Sequence, residues 1–140
     1  MEKIEEFQKM YDECEKIVFF GGAGVSTESG IPDFRSEDGL YSQKWKYPPE
    51  AIVSRTFFEQ NCKEFFRFYR EKLIAKDAQP NAAHIALSKM EEKNKLKAII
   101  TQNIDGLHQK AGSKNVLELH GSTLRNYCTK CKKFYPVEFI

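Results

Sequence analysis

Apolar positions along the chain fall into two patterns, one with a helical period and one of short unbroken runs. In residues 2–16, Ile4, Phe7, Tyr11 and Cys14 recur every three or four positions among Glu and Lys, which predicts a helix. The run Ile17-Val18-Phe19-Phe20 is continuous, as expected of a parallel strand buried on both faces. Glycines follow at once, and Val25 to Gly30 reads as the start of a second helix with Ser26 or Thr27 as N-cap. Residues 36–50 lose the period and read as loop, with Gly39, Pro48, Pro49 and the aromatics Tyr41, Trp45 and Tyr47. Residues 56–74 regain it in Phe57, Phe58, Phe65, Phe66, Tyr69 and Leu73. Beyond Pro80, Asn81 is placed to cap a helix carrying Ile85, Leu87 and Met90. Lys97–Thr101 and Val116–Leu119 are two further strand candidates.

Strands alternating with helices predict an α/β fold built on a parallel sheet with helices on both of its faces. Three strands make a thin sheet for such a fold, and the sequence stops just after a cysteine turn. The expectation is therefore a domain whose C-terminal part is missing. No internal repeat or low-complexity tract interrupts the chain.

Composition narrows the partners more than the fold. The 140 residues are 41% hydrophobic and 30% charged, which is ordinary for one globular domain. A net charge of +2 implies no specific nucleic-acid partner. No run of about 18 apolar residues predicts a membrane span. The charged start Met1-Glu2-Lys3-Ile4-Glu5-Glu6 lacks the apolar core of an export signal. Four cysteines, two of them in one Cys-x-x-Cys, then fit a reducing, cytoplasmic setting. Cys14 and Cys62 fall in helical patterns and read as core or boundary thiols.

The chemistry-bearing residues collect after strands. Gly22-Ala23-Gly24 between a strand and a helix start offers backbone N–H groups to a phosphate. The next glycine is Gly30, so the dinucleotide fingerprint is not met, and no Gly-Lys-Ser/Thr makes it a P-loop; a plain tight turn is the alternative. In Gly30-Ile31-Pro32-Asp33-Phe34-Arg35-Ser36, Asp33 and Arg35 put opposite charges close together around the apolar Phe34. That loop reads either as a cover over a ligand or as a structural pair beside a core phenylalanine. Gln102, Asn103 and Asp105 directly follow the second strand, where open α/β sheets bind ligands; helix capping by Asn103 or Asp105 is compatible with that role. His120 ends the third strand at the same edge and is suited to proton transfer near neutral pH. Of its competitors, His84 is expected in a helix away from the loops, and His108 beneath the polar block. Cys128-Thr129-Lys130-Cys131 is half of a four-ligand zinc site, or else a redox pair; the lysine-flanked turn favours zinc, incomplete within this sequence.

In the order and spacing of these blocks the chain resembles the sirtuin family, the NAD-dependent protein lysine deacylases, and its bacterial members above all. The blocks are Gly22-Ala23-Gly24-Val25-Ser26, Gly30 to Ser36, Thr101-Gln102-Asn103-Ile104-Asp105-x-Leu107-His108, His120-Gly121 and Cys128-x-x-Cys131. The resemblance implies a Rossmann-like NAD-binding domain over 1–35 and 94–123, a cofactor loop and helical module over 36–93, and the start of a zinc module over 124–140. It implies removal of acetyl groups from lysine of a protein or peptide, giving nicotinamide and O-acetyl-ADP-ribose. It places Gly22, Ala23, Gly24, Ser26, Thr27, Asp33, Phe34 and Arg35 around the phosphates and nicotinamide ribose. Gln102 and Asn103 would meet ribose, and Ile104 and Asp105 the nicotinamide carboxamide. His120 and Asn103 would be catalytic, with His120 as general base on a ribose hydroxyl. Tyr69 followed at three by Lys72, rather than by Arg, leans towards acetyl over acidic acyl groups. The family's second cysteine pair is absent here, and so are its later segments that contact adenosine and the peptide. The alternatives left open are mono-ADP-ribosyl transfer in the same pocket and an inactive, truncated domain.

Overall fold

The computed structural model describes residues 2–140. Helix α1 (Glu2–Glu13) leads into strand β1 (Ile17–Gly21). A 3-10 helix over Ala23–Ser29 and a long loop, with a second 3-10 turn at Leu40–Ser42, bring the chain to a helical module. That module comprises α2 (Pro49–Ile52), α3 (Arg55–Gln60), α4 (Cys62–Phe68) and a π-helical turn at Tyr69–Leu73. Helix α5 (Ala82–Glu92), β2 (Leu96–Thr101), α6 (Leu107–Lys110) and β3 (Val116–Glu118) return it to the sheet. A hairpin of β4 (Arg125–Tyr127) and β5 (Phe134–Pro136) and a closing 3-10 turn at Val137–Phe139 follow.

The α/β expectation holds: β1, β2 and β3 form a parallel sheet in the order β1-β2-β3. Gly21 pairs with Thr101 and Thr101 with Glu118, so the C-terminal ends of all three strands meet at one edge. Two bonds extend the ladder past the strands, Gln102 N to Gly21 O at 3.0 Å and Leu119 N to Thr101 O at 2.9 Å. These bonds carry the polar block and the His120 turn to the same height.

The strands were expected to be buried on both faces, and only one face is. Leu96 and Ile99 of β2 pack with Leu87 of α5, and Ile17, Phe19, Met90 and Val116 close around them. On the other face, Val18 (58%), Phe20 (62%), Leu117 (52%) and Leu119 (56%) are exposed. Nothing among the described residues covers them. Helix α1 ends at Glu13 rather than 16, and its apolar stripe of Ile4, Phe7 and Met10 is exposed too. It is tethered at its C-terminal end, where the Lys95 ammonium donates to the carbonyls of Tyr11 (2.7 Å) and Asp12 (3.0 Å). Cys14 and Cys62, expected as core or boundary thiols, are exposed.

Two other local expectations are corrected. The helix over 56–74 is broken at Asn61, whose φ of −141° and ψ of 54° lie outside the helical region. The break turns α4 back so that Phe58 meets Phe65 and Phe66 edge-on at 4.9 and 5.9 Å. The element after the glycine turn is a 3-10 helix that begins behind Gly22 with no side-chain cap, because Ser26 is needed elsewhere. Asn81 does cap α5: its Oδ1 accepts from the amides of Ala83 and His84, and the Asn81 amide donates to His84 Nδ1.

That capping box draws His84 inward rather than away from the loops. His84 and His108 are 0% and 1% exposed, with ring centroids 4.7 Å apart, and His108 leans on Phe19 at 6.1 Å. Burial pushes both imidazoles below the ordinary histidine range, and for His108 the neighbouring His84 adds to this.

The uneven sheet gives a paired prediction. Ile99→Ala on the buried face should cost about 2–5 kcal/mol in urea unfolding, whereas Val18→Ala on the open face should cost less than about 0.5 kcal/mol. The histidine pair gives a pH dependence. Below about 6.5 the unfolded chain takes up protons that the folded pair refuses, so stability is full above that pH and falls as pH drops through the lowered native values. Urea midpoints measured from pH 7.5 down to 5 should decline accordingly. His108→Phe should flatten that decline.

Candidate functional site

The shared strand edge is organised by one buried hydroxyl. Ser26 is 1% exposed; its Oγ donates to Asp105 Oδ2 at 2.7 Å and accepts from Asn103 Nδ2 at 3.0 Å. His84 Nε2 lies 3.5 Å from the same oxygen. The other ring nitrogen, His84 Nδ1, meets the cap of α5, 3.3 Å from the Asn81 amide nitrogen and 3.1 Å from Asn81 Oδ1. The Ser26 hydroxyl has given its only proton and uses its lone pairs inside the protein. It holds Asn103 and Asp105 from beneath and does not reach outward.

Asp105 is fixed a second time by Leu107, whose amide donates to its Oδ1 at 2.9 Å and starts α6. Each carboxylate oxygen retains a further lone pair. The chain reverses at Gly106, with φ of +74°, where a β-carbon would stand 2.7 Å from Leu124 Cδ1. Asn103 is buried and its amide donates to Thr101 Oγ1 at 3.0 Å. Gln102 is exposed, and its Nε2 would lie 3.6 Å from a β-carbon at Gly22. The polar block therefore lies across the glycine turn, as expected from the order of the elements.

His120 sits two residues beyond β3 and is exposed. Its Nδ1 is 3.0 Å from the carbonyl oxygen of Gln102. A carbonyl only accepts, so Nδ1 carries the proton, and the Nε2 lone pair of the neutral ring is left free as a base. Neither interaction at the neighbouring Thr123 was expected: its amide and its Oγ1 both donate to the Ile104 carbonyl, at 2.9 and 3.0 Å. Thr123 and His84 were missed because spacing marks positions along a strand or helix, and both residues act across elements distant in sequence.

The loop after the glycine turn is pinned to itself. The Asp33 carboxylate accepts from the amides of Arg35 (3.1 Å) and Ser36 (2.8 Å), and hydrogen bonding led by the Ser36 hydroxyl, then these amides, holds it below the ordinary carboxylate range. The expected Asp33–Arg35 charge pair is thus a backbone turn instead. Leu40 N and Tyr41 N bond to the carbonyls of Asp33 and Phe34 at 2.7 and 2.9 Å. Gly39 permits this closure, since a β-carbon there would stand 2.8 Å from Asp33 Oδ1. Phe34 is half-buried against the edge of Tyr41 at 5.4 Å, and the Arg35 side chain is exposed. Thr27 Oγ1 donates to Gly24 O at 3.0 Å.

A ligand with phosphates, ribose hydroxyls and a carboxamide matches these donors. The first turn of the 3-10 helix leaves the amides of Ala23 and Gly24 without carbonyl partners in that helix. Gly24 has no atom within 4 Å of where a β-carbon would be, so the backbone is open to close approach. The Cys128–Cys131 turn fits a metal less fully. Backbone hydrogen bonds from Cys131 and Lys130 lower the Cys128 thiol towards the thiolate, the ligand form. The two sulfurs amount to half of a closed zinc set, and among the described residues no group of three or more His, Cys, Asp or Glu comes together.

Comparison with known proteins agrees with this geometry. Residues 22–140 match the Sir2 family. An NAD-dependent protein deacetylase of Clostridium acetobutylicum is 63% identical over 142 residues, covering 100% of this chain and 58% of that protein. One from Clostridium perfringens is 60% identical, covering 99% of this chain and 58% of that protein. The chain thus spans well under two thirds of the length of these relatives. A solved Sir2 structure with deacetylated p53 peptide and 3′-O-acetyl ADP ribose superposes with a TM-score of 0.88 at 46% identity, covering 96% of this chain and 54% of that one. A Sir2–p53 peptide–NAD+ structure gives 0.81 at 45% identity, over 98% and 53%. With the glycine turn, the polar block, His120 and the cysteine turn all inside the matched span, the chain belongs to the Sir2 family.

Proposed function

We propose that this chain carries the nicotinamide-ribose and base portion of an NAD-dependent protein-lysine deacetylase. Such an enzyme removes acetyl from lysine and gives nicotinamide and O-acetyl-ADP-ribose. The observation that carries the reading is the free Nε2 of His120, held by the Gln102 carbonyl at the edge where the glycine turn, Asn103 and Asp105 gather.

When bound, NAD supplies a ribosyl carbon made electrophilic by departure of nicotinamide. The chain's own residues do the rest. Gly22, Ala23, Gly24, Thr27 and the Arg35 guanidinium neutralise and seat phosphate oxygens. Phe34 screens the reacting carbon from water, the competing nucleophile. Gln102 and Asn103 hydrogen-bond the ribose, and Asn103 keeps its orientation because its Nδ2 is committed to Ser26. The remaining lone pairs of Asp105 accept from the carboxamide beside Ile104. His120 Nε2 takes a proton from a ribose hydroxyl, and the carbonyl on Nδ1 stabilises the imidazolium that forms. Ser26 and Asp33 act one step back, as the buttress of the polar block and of the Phe34 loop. The substrate is acetyl-lysine in a protein or peptide. Tyr69 is committed to Asn126 at 3.2 Å and the Lys72 ammonium lies 5.8 Å over Trp45, which favours a neutral acyl group over an acidic one. Cys128 and Cys131 contribute two thiolates to a structural zinc.

The chain segments follow the same reading, with 1–35 and 94–123 as the NAD-binding part, 36–93 as cofactor loop and helical module, and 124–140 as zinc-binding hairpin. No helix among the described residues is long and apolar enough to cross a membrane, and the free cysteines suit a reducing, cytoplasmic setting.

The test is mass-spectrometric assay of an acetyl-lysine peptide with NAD. The expected products are free lysine and O-acetyl-ADP-ribose, and His120→Ala should lower their rate by about 10²–10⁴ with NAD binding retained. Undiminished turnover by His120→Ala, or ADP-ribose on the peptide with the acetyl group intact, would overturn the reading.

A further inference from the structure

The Ile104–Gly106 segment is fixed at two ends by different parts of the molecule. At the Asp105 end the restraint is Ser26 and the Leu107 amide. At the Ile104 end it is Thr123, which is only 3% exposed. Its amide and hydroxyl both donate to the Ile104 carbonyl and so occupy both lone pairs of that oxygen. Thr123 is in turn held from outside. Asn126 Nδ2 donates to the Thr123 carbonyl at 3.0 Å, and the Tyr69 hydroxyl donates to Asn126 Oδ1 at 3.2 Å. A hydrogen-bonded line thus runs from the π-helical turn of the helical module, through β4, to the peptide group preceding Asp105.

We propose that Thr123 is a positioning residue for the nicotinamide end of the site, setting the placement of Ile104 and Asp105 through its paired bonds to the Ile104 carbonyl. The proposal rests on the reading that Ile104 and Asp105 hold the carboxamide. The segment has little other support on this side. Gly106 follows in a left-handed conformation, and a cavity of about 270 Å³ opens between Asp105, Thr123, Leu124 and the 74–78 loop. Loss of the Thr123 hydroxyl leaves the Ile104 carbonyl one bond instead of two, and the peptide is free to tilt towards that cavity. The proposed phosphate seats at Gly22 and Gly24 are bonded only to Val25 and Thr27 among the described residues and make no contact with this bond. The signature is therefore selective: the nicotinamide-bearing ligand is affected and the rest of the dinucleotide is not.

The experiment uses the 140-residue chain with NAD and ADP-ribose as probes in calorimetric titration. Thr123→Val removes the hydroxyl and keeps shape and amide; it should weaken NAD binding about two- to tenfold and leave ADP-ribose binding unchanged. Thr123→Ser keeps the hydroxyl and should restore the NAD value. Tyr69→Phe, which cuts the outer link, should reproduce the selectivity at smaller size. Amide hydrogen exchange at Asp105 and Gly106 should quicken in Thr123→Val and return to the parent rate in Thr123→Ser, with or without ligand. Equal losses for both ligands, an indifferent Thr123→Val, or a serine variant that behaves like valine would each overturn the positioning role. Failure of the parent chain to bind either ligand would instead sink the NAD reading itself, and the positioning role with it.

Discussion

The site depends on one hydroxyl proton. Ser26 can donate only once, and it donates to Asp105. That choice makes Asn103 a donor to its oxygen and so fixes the orientation of the Asn103 amide, with His84 Nε2 3.5 Å from the same atom. The glycine turn, the polar block after β2 and the first turn of α5 are joined at this atom. Three segments far apart in sequence are thereby held in register where no regular secondary structure does so.

The sheet supplies the frame for that junction. Parallel pairing with Gly21, Thr101 and Glu118 in line places every loop that follows a strand on the same side. The packing that stabilises the frame is one-sided, with Ile99 and Leu96 against α5. The site sits at the end of the packed layer and not over the open face. Its polar groups are therefore backed by buried side chains, where a hydrogen bond is harder to break than at the surface.

Much of this could be read from residue order. The strand runs, the glycine turn, Asn81 as a cap and the gathering of Gln102, Asn103, Asp105 and His120 at one edge follow from periodicity and from where ligands bind open sheets. What escaped was set by tertiary contact. Periodicity places Ile4, Phe7 and Met10 on one stripe but cannot say that the stripe meets nothing. The same holds for Val18 and Phe20, whose apolar character says buried while only alternate strand residues meet α5. Asp33 and Arg35 look like an ion pair because charge is visible in sequence and backbone amides are not; the carboxylate chose the amides. Thr123 had no signal at all, being a small polar residue in a turn.

The partner that fixes the His120 tautomer is a peptide carbonyl, not a side chain. Every residue type at position 102 brings the same carbonyl, so His120 keeps its proton on Nδ1 whatever side chain occupies that site. Under the proposed roles, substitution at position 102 can then alter the side chain offered to ribose while leaving the His120 tautomer untouched. What that tautomer cannot survive is a slip in the register of β2 against β3, because the carbonyl that sets it is brought beside His120 by the pairing of these strands.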